Sequence, residues 1–285
     1  MADLQTYRGN CHCGRFRFTL TVPEIQSAIR CSCGLCEKKG YLWLVPPKGS
    51  FQVTKDDENL SHYYCKSLHD QFCNYCGTGV VGEHLTGPLS GQLAVNVRAI
   101  QGVNPFKIQY DNLFPFHSCR VTTSHAEEDK QQTRNPSRSE PQAQHLFSCH
   151  CAAVQAELFT PLQEQEVKED NCSSCVRNAY IGVYPTKDQV KLRGMEDTFE
   201  YKKAPGYSGI SHCKTCGVMV FSNIYGPPIS IFDKLPAERK ELALAVYHKN
   251  LNLKPLNVRT VEGLDLGSIT IERTDEGTDG YALDE

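Results

Sequence analysis

The sequence has no long apolar run, no basic excess and no recognisable export signal. No segment of its 285 residues approaches the roughly 18 consecutive apolar residues that a membrane-spanning helix needs. The first ten residues, MADLQTYRGN, lack the basic and apolar regions of a secretory signal. The net charge is -3, so nothing favours nucleic-acid binding. We therefore expect a soluble intracellular protein, cytoplasmic, with neither a membrane nor a nucleic acid among its partners.

Hydrophobic residues and cysteines are well represented. Hydrophobic residues make up 40% of the chain, enough for one large or two modest cores. The 15 cysteines would suit a disulfide scaffold in a short secreted chain. An odd count, a long chain and no export signal favour reduced thiolates that bind metal instead. Zinc is the default metal for such a set of ligands.

The cysteine motifs occur twice. GNCHCGRFRFTL at 9–20 is repeated as FSCHCAAVQAEL at 147–158, and FCNYCGTGVV at 72–81 as SHCKTCGVMVF at 211–221. NVRAIQGVN at 96–104 returns as NVRTVEGLD at 257–265. The lag rises from 140 residues at the second motif to 161 at the third, which places about 21 extra residues in the second copy.

This repeat predicts two domains, residues 1–120 and 145–285. Residues 121–144 join them and read as a flexible linker, because 122–144 has no aromatic residue and no aliphatic one larger than alanine. One continuous domain with a long surface loop is the alternative.

Short bounded apolar runs predict a mainly β chain. The strand signals are RFRFTLTV at 15–22, YLWLVPP at 41–47, YIGVYPT at 180–186 and GSITIER at 267–273. The insertion in the second copy contains LPAERKELALAVYHKN at 235–250, in which Pro236 precedes good helix formers. Leu242, Ala245, Val246 and Leu253 are near helical spacing, so we predict a helix there.

The repeat also indicates how the cysteines divide among metal sites. The CxC and CxxC motifs persist in both copies, and loss of a ligand from a structural site would unfold a domain. They therefore predict two closed four-cysteine sites. Their ligands are Cys11, Cys13, Cys73 and Cys76 in the first copy, and Cys149, Cys151, Cys213 and Cys216 in the second.

The middle loop differs between the copies. In the first copy CSCGLC offers Cys31, Cys33 and Cys36, three ligands that leave an open coordination position, as in catalytic zinc sites. In the second copy DNCSSC places Asp170, Cys172 and Cys175 at the same positions. A carboxylate also binds zinc, so we predict a metal on this loop with Asp170 as a ligand.

Four further residues stand near these motifs. Cys65 and Cys119 fall outside any pattern and read as free buried thiols, although Cys65 would close the three-cysteine site as an alternative. His12 and His150 each sit between the two cysteines of a CxC motif. We expect them to shape the loop rather than bind metal.

The ordered motifs GNCHCG, CSCGLCEKKG and FCNYCGTG resemble the glutathione-dependent formaldehyde-activating enzyme family, which includes centromere protein V. The resemblance covers about residues 7–118 and, more loosely, 145–285. It implies two tandem β-tent zinc-binding domains, with one helix inserted in the second. It also implies two zinc ions per domain. One is a structural zinc on the outer motifs, and the second lies on the CxCxxC loop, where the thiol of glutathione binds.

Several positions near the loop follow or depart from the family pattern. Lys38 and Gly40 match it, whereas Ser32 and Glu37 stand where histidine and arginine are common. In the second copy, Ala179 stands where the pattern has glycine and Asp170 where it has a ligand cysteine.

Three thiolates around Zn²⁺ give a site of net charge about -1, a weak Lewis acid that disfavours hydrolysis by water. Such a site would deprotonate an incoming thiol and keep its sulfur nucleophilic. We therefore expect a carbon–sulfur lyase that joins glutathione or another thiol to formaldehyde or a small carbonyl, as an S-hydroxymethylglutathione synthase does. Candidates for proton transfer are Lys38, Glu37, His62 and Glu83.

Two other interpretations remain open at this point. One is a lyase or isomerase that acts on a different small metabolite at the same zinc site. The other is a zinc-stabilised binding module without catalysis.

Overall fold

The first half of the chain folds into two sheets and one short helix. The structure, a computed structural model, describes residues 3–113 and 142–275. The strands of the first half are β1 (Leu4–Asn10), β2 (Phe16–Pro23), β3 (Ser27–Cys31), β4 (Trp43–Leu44), β5 (Phe51–Asp56), β6 (Leu60–Tyr64), β7 (Leu68–Cys73), β8 (Gly79–His84), β9 (Leu93–Asn96) and β10 (Gln109–Leu113). The α-helix α1 spans Gly34–Lys39. One sheet has the order β1-β2-β5 and the other β10-β3-β4-β9-β8-β7-β6.

The second half repeats this arrangement strand for strand. Its strands are β11 (His145–Ser148), β12 (Gln155–Leu158), β13 (Val167–Asp170), β14 (Gly182–Val183), β15 (Val190–Arg193), β16 (Thr198–Tyr201), β17 (Ser208–Cys213), β18 (Met219–Ile224), β19 (Leu256–Asn257) and β20 (Glu272–Thr274). Its α-helices are α2 (Ser173–Asn178) and α3 (Ala237–Leu251). The sheets have the orders β11-β12-β15 and β16-β17-β18-β19-β14-β13-β20. Each strand therefore has its counterpart ten numbers later.

Short 3₁₀ helices join several of these elements. They span Val97–Ala99, Leu162–Glu164, Lys187–Gln189, Met195–Asp197, Ile229–Lys234, Val258–Thr260 and Leu266–Ser268. Asn96 and Asn257 stand at equivalent positions before two of them, and each side chain accepts a hydrogen bond from the backbone N–H two residues on. The repeated NVR motif thus encodes the same turn in both halves.

Alternating burial places one core between the two sheets of the first half. Phe16, Phe18, Leu20 and Val22 of β2 are buried, whereas the residues between them are exposed or partly exposed. They pack with residues of β8 and β9, among them Val80, Val81 and Val95. This period of two is the pattern expected of a strand with one face in a core.

A second core contains residues of both halves. Trp43 and Leu68 of the first half belong to the same buried cluster as Phe147, Leu158 and Phe221 of the second. Conversely, Tyr201 of the second half joins the core of the first. The two halves therefore bury apolar surface together.

The mainly β prediction is confirmed, but the individual predicted strands agree with the structure to different degrees. β2 confirms the strand at 15–22, but the segments 41–47 and 180–186 contain strands of only two residues. The prediction at 267–273 is largely wrong, since Leu266–Ser268 is a 3₁₀ helix and β20 begins at Glu272. The Asp265 side chain accepts from the Gly267 N–H and turns the chain there.

The helix predicted at 235–250 is confirmed as α3, which begins directly after Pro236. None of its residues is buried, and Leu242 and Val246 are 69% and 50% exposed. The spacing of its apolar residues therefore predicts the helix correctly, but these residues do not form a face that packs into a core.

Some predictions fall outside the described residues. Residues 121–141 of the predicted linker lie there, and so does Cys119. The domain limits at 120 and 145 stay predictions. Among the described residues, no helix is long and apolar enough to cross a membrane.

Candidate metal centres

The first four-cysteine group joins two distant turns. Cys11 and Cys13 lie between β1 and β2, Cys73 ends β7, and Cys76 lies in the turn to β8. The four sulfurs lie within 4.8 Å of one another, with Cys11–Cys13 at 3.5 Å and Cys13–Cys73 at 3.7 Å. A tetrahedral site with Zn–S bonds of about 2.3 Å requires sulfur separations of about 3.8 Å. The group therefore fits a tetrahedral zinc.

The second four-cysteine group has the same geometry. Cys149, Cys151, Cys213 and Cys216 also place their sulfurs within 4.8 Å of one another. Cys149–Cys151 is 3.6 Å and Cys151–Cys213 is 3.5 Å. The structure thus brings together both sets of four cysteines in the pairing predicted from the repeat.

Backbone hydrogen bonds support these sulfurs in the same way in both halves. The Phe16 N–H donates to Cys11 Sγ at 3.3 Å, and the Val154 N–H donates to Cys149 Sγ at 3.3 Å. Donors aimed at a sulfur stabilise it as a thiolate, the form that binds metal. Gly77 and Gly217 follow the CxxC motifs with φ of +74° and +65°, where glycine has no steric penalty.

The three-cysteine group lies at the junction of β3 and α1. Cys31 ends β3, Cys33 immediately precedes α1, and Cys36 lies within the helix. Their sulfurs lie within 4.8 Å of one another, and the residues are 2%, 0% and 1% exposed. Burial, together with the other two cysteines, raises the pKa of the Cys36 thiol. A cation would offset this penalty by binding the thiolates.

No fourth protein ligand completes this group within the described ranges. Among residues 3–113 and 142–275, no further Cys, His, Asp or Glu atom lies within 4.8 Å of all three sulfurs. Cys65, the alternative ligand, lies outside the group, and its sulfur is 3.8 Å from Ser67 Oγ. A metal held here would keep a coordination position for a ligand from outside.

The corresponding loop of the second half carries a carboxylate. Asp170 ends β13, and its carboxylate and the sulfurs of Cys172 and Cys175 lie within 4.8 Å of one another. The Cys172 N–H donates to Asp170 Oδ2 at 3.2 Å. The hydrogen bond between Cys172 and Cys175 lowers the pKa of Cys172 to about 7. This group is only partly buried, so it is the more accessible of the two three-ligand groups.

The histidine of each CxC motif contacts the opposite half. His12 Nδ1 is 2.8 Å from the Tyr201 hydroxyl, and His12 Nε2 is 3.1 Å from Ser173 Oγ. At the equivalent place, His150 Nδ1 is 2.9 Å from the Tyr63 hydroxyl. These histidines thus connect each CxC loop to the other half.

The predicted acid–base candidates are scattered. Lys38 Nζ donates to Ser148 O at 2.7 Å and pairs with Glu262 at 2.6 Å. Glu37 is exposed. His62 Nδ1 is 2.9 Å from His69 Nε2 on the outer surface, where Glu83 lies opposite His69 in the register of β7 and β8.

Sequence reasoning missed a buried network that fixes the end of α1. Lys39 Nζ donates to Asp70 Oδ2 at 2.6 Å, and the Tyr41 hydroxyl donates to Asp70 Oδ1 at 2.6 Å. Asp70 is 0% exposed, and both partners are buried. A buried pair with both carboxylate oxygens satisfied holds α1, and hence Cys36, against β7.

Sequence reasoning also missed Trp43 and His84. Trp43 Nε1 donates to Cys36 Sγ at 3.2 Å. The Trp43 and His84 rings meet edge-on, with their centroids 5.9 Å apart. Trp43 is the only tryptophan in the sequence, and this is weak evidence that it belongs to a site. His84 lies in no sequence motif that would indicate a site.

Comparisons with known proteins agree with this geometry over the first half. Residues 6–112 match the family described as glutathione-dependent formaldehyde-activating enzyme. No curated protein matches the chain. A crystal structure of a Rhodobacter sphaeroides protein is similar at 20% identity and a TM-score of 0.33, over 45% of this chain and 99% of that one. The first four-cysteine group and the three-cysteine group both lie within residues 6–112, the part of the chain that is similar to the glutathione-dependent formaldehyde-activating enzyme family.

Proposed function

We propose that the first half is a zinc-dependent carbon–sulfur lyase-type enzyme that adds a thiol such as glutathione to formaldehyde or another small carbonyl. One observation carries this proposal. Cys31, Cys33 and Cys36 converge in the interior, and the described residues supply no fourth ligand atom. The match of residues 6–112 to the family supports an enzyme of this class.

We further propose that zinc fills both four-cysteine groups as a structural metal. The sulfur separations of 3.5–3.7 Å support a tetrahedral ion of this size. Each group ties the beginning of a half to a turn about 60 residues later, which closes a long loop. Binding energy at such a site adds directly to the stability of the fold.

The reaction is an addition that needs no redox partner. Cys31, Cys33 and Cys36 would hold the zinc, which would supply a cation that lowers the pKa of an incoming thiol and keeps its sulfur nucleophilic. One carbon–sulfur bond forms, the carbonyl π electrons move to oxygen, and that oxygen takes up the proton that the thiol releases. The Trp43 N–H holds Cys36 Sγ through a hydrogen bond, so it disperses part of the negative charge of the ligand set. The low exposure of the three cysteines excludes bulk water from the reacting sulfur.

For the second half we propose a non-catalytic role, as a metal-stabilised module that completes the fold. Three observations support it. Asp170 replaces a thiolate, Gly182 stands at the position of Trp43, and the half shares a core with the first. A harder, partly exposed ligand set would hold an incoming thiolate less well.

Exchange spectroscopy of glutathione with formaldehyde tests the proposed reaction. We expect the wild-type protein to accelerate the exchange and Cys33→Ser to abolish the acceleration. Cys65→Ser is the matched control, because Cys65 lies outside every metal group, and it should behave as wild type. If the wild-type protein leaves the exchange rate unchanged, formaldehyde and glutathione are not its substrates.

Metal content separates an enzyme from a binding module. Four ligand groups predict about four zinc ions per chain, of which those on the two three-ligand loops should exchange readily with a chelator. About two tightly held ions, with none exchangeable, would contradict the catalytic proposal and favour a module with structural zinc alone.

A further inference from the structure

The imidazole ring of His84 is buried. His84 ends β8, is 3% exposed, and neither of its ring nitrogens has a partner among the described residues. A buried polar group without a partner destabilises the folded protein. A histidine placed this way is suited to a ligand from outside, which would supply the partner that the described residues do not.

The position of His84 connects it to the three-cysteine group. Its ring meets the edge of Trp43, whose Nε1 donates to Cys36 Sγ. Gly82 makes this contact possible, because a Cβ there would lie 3.0 Å from the Trp43 ring. Burial lowers the pKa of His84, and the charge of Cys33 partly opposes that shift. His84 is thus on the Trp43 side of the group and within electrostatic reach of Cys33.

His84 is not a ligand of the group in this geometry. Its ring nitrogens do not lie within 4.8 Å of all three sulfurs, since the group contains only the three cysteines. It stands outside the coordination sphere with its hydrogen-bonding capacity unused. A residue in this position is suited to contact a substrate bound to a metal at the three-cysteine group.

The second half provides an internal comparison. Leu68 pairs with His84 in the register of β7 and β8, and Ser208 pairs with Ile224 in that of β17 and β18, so Ile224 is the counterpart of His84. By the same alignment Gly182 replaces Trp43 and Asp170 replaces Cys31.

The three replacements go together, whereas all four cysteines of the structural group are retained. Tyr180 and Tyr184 occupy the space next to Gly182, with hydroxyls 2.7 and 2.6 Å from where a Cβ would be. An isoleucine is therefore compatible with this fold at the position of His84. The fold itself does not require the histidine, so its presence beside the intact thiolate group needs another reason.

From these contacts we propose that His84 binds the oxygen of the carbonyl substrate, through one ring N–H, next to the three-cysteine group. This inference rests on the proposed function and names the residue that recognises the carbonyl. As the carbon–sulfur bond forms, the oxygen gains the electron pair of the carbonyl and becomes a stronger acceptor. A donor placed there binds the transition state better than the ground state. The other ring nitrogen accepts a hydrogen bond from water or from the group that carries the proton released by the thiol.

Two variants and one control test the assignment. His84→Leu mimics the second half, His84→Gln retains an N–H donor, and His248→Leu changes an exposed histidine of α3, outside the site. We expect His84→Leu to lower kcat/KM for formaldehyde exchange about tenfold or more, with wild-type metal content. His84→Gln should recover part of the loss, and His248→Leu should match the wild-type protein.

Equilibrium binding gives a readout that is independent of turnover. The probes are two thioether analogues, S-(2-hydroxyethyl)glutathione and S-propylglutathione, of which only the first carries a hydroxyl on its sulfur substituent. Calorimetry should show that the wild-type protein prefers the hydroxyl analogue by about fivefold or more. His84→Leu should lose this preference, and His248→Leu should keep it. Because Leu removes an unpaired buried polar group, its melting temperature should rise.

The outcomes separate this inference from the proposed function. If the wild-type protein accelerates the exchange and His84→Leu is equally fast with an unchanged analogue preference, His84 does not bind substrate. A fall in melting temperature or metal content in His84→Leu would also overturn the assignment, since it would show a structural role. If the wild-type protein neither accelerates the exchange nor binds either analogue, the proposed function fails as well.

Discussion

Gly40 and Ala179 end the equivalent helices α1 and α2 in the left-handed region, with φ of 57° and 48°. A Cβ built on Gly40 would overlap the Cβ of Ala179 and come within 2.9 Å of Arg259 Nε. The two helix ends therefore meet at a point where only one methyl group fits. Glycine at position 40 serves close packing between the halves as well as the backbone conformation.

Replacing Gly40 with alanine should be more destabilising than the backbone penalty alone. The left-handed conformation costs an alanine roughly 1–2 kcal/mol, and the overlap adds about 1–3 kcal/mol. Gly102→Ala is the control, because Gly102 has φ +78° and nothing within 4 Å of its Cβ position. Urea denaturation should give a clearly larger loss for Gly40→Ala. Adding Ala179→Gly should recover part of it, and no recovery would show that the two positions do not compete for space.

At the residue scale, the sequence predicts which cysteines come together much better than it predicts their surroundings. The eight cysteines of the two four-cysteine groups could be grouped because two motifs recur in both copies at similar lags. The position of His84 could not be predicted, because it depends on which side chains of β8 reach those of β4 across β9, and on its ring having no partner among the described residues. Both appear only after strands distant in sequence have paired.

Among the elements, the loop before α2 tests whether a carboxylate still holds metal. Asp170→Cys should slow the loss of one metal ion per chain to a chelator, because a third thiolate restores the ligand set of the first half. The time course of metal release to a chelator measures this. Asp170→Ser, which removes the carboxylate without adding a thiolate, is the control and should lose that ion faster than the wild-type protein. Equal release in all three proteins would mean that the loop does not bind metal.

Helix α3 provides a second test at this scale. Since Leu242 and Val246 are largely exposed, the double variant Leu242→Glu/Val246→Glu should change the free energy of unfolding by less than about 0.5 kcal/mol. The buried control Phe221→Ala should cost about 3–5 kcal/mol. Thermal denaturation of the two variants compares them. A large loss in the double variant would show that the exposed face of α3 is covered in solution.

The elements also show where pattern reasoning has limits. The alternation of β2 is visible in the sequence because one face packs in a core and the other does not. The segment 267–273 has similar apolar residues, yet Asp265 starts a turn there and β20 begins only at Glu272, where it pairs with the short β13. Local hydrogen bonds of a short polar side chain outweigh the strand propensity of isoleucine.

On the scale of the whole molecule, the halves are joined through their metal groups and their cores. Tyr201 contacts the histidine between Cys11 and Cys13, and Tyr63 contacts the one between Cys149 and Cys151. One buried cluster includes side chains of both halves. Contacts of this kind would couple the stability of one half to a metal held by the cysteines of the other.

This coupling predicts that the chain unfolds in one cooperative transition. Calorimetry of the wild-type protein should give equal calorimetric and van't Hoff enthalpies, the test of a two-state transition. Cys216→Ser removes a ligand of the second four-cysteine group, so it should lower the melting temperature of that single transition rather than split it. Cys65→Ser, outside the metal groups, should leave the transition nearly unchanged. Two separate transitions in Cys216→Ser, one at the wild-type temperature, would show that the first half is stable without its neighbour. The shared core would then contribute little stability, because the first half would have kept its melting temperature after losing the contacts of that core.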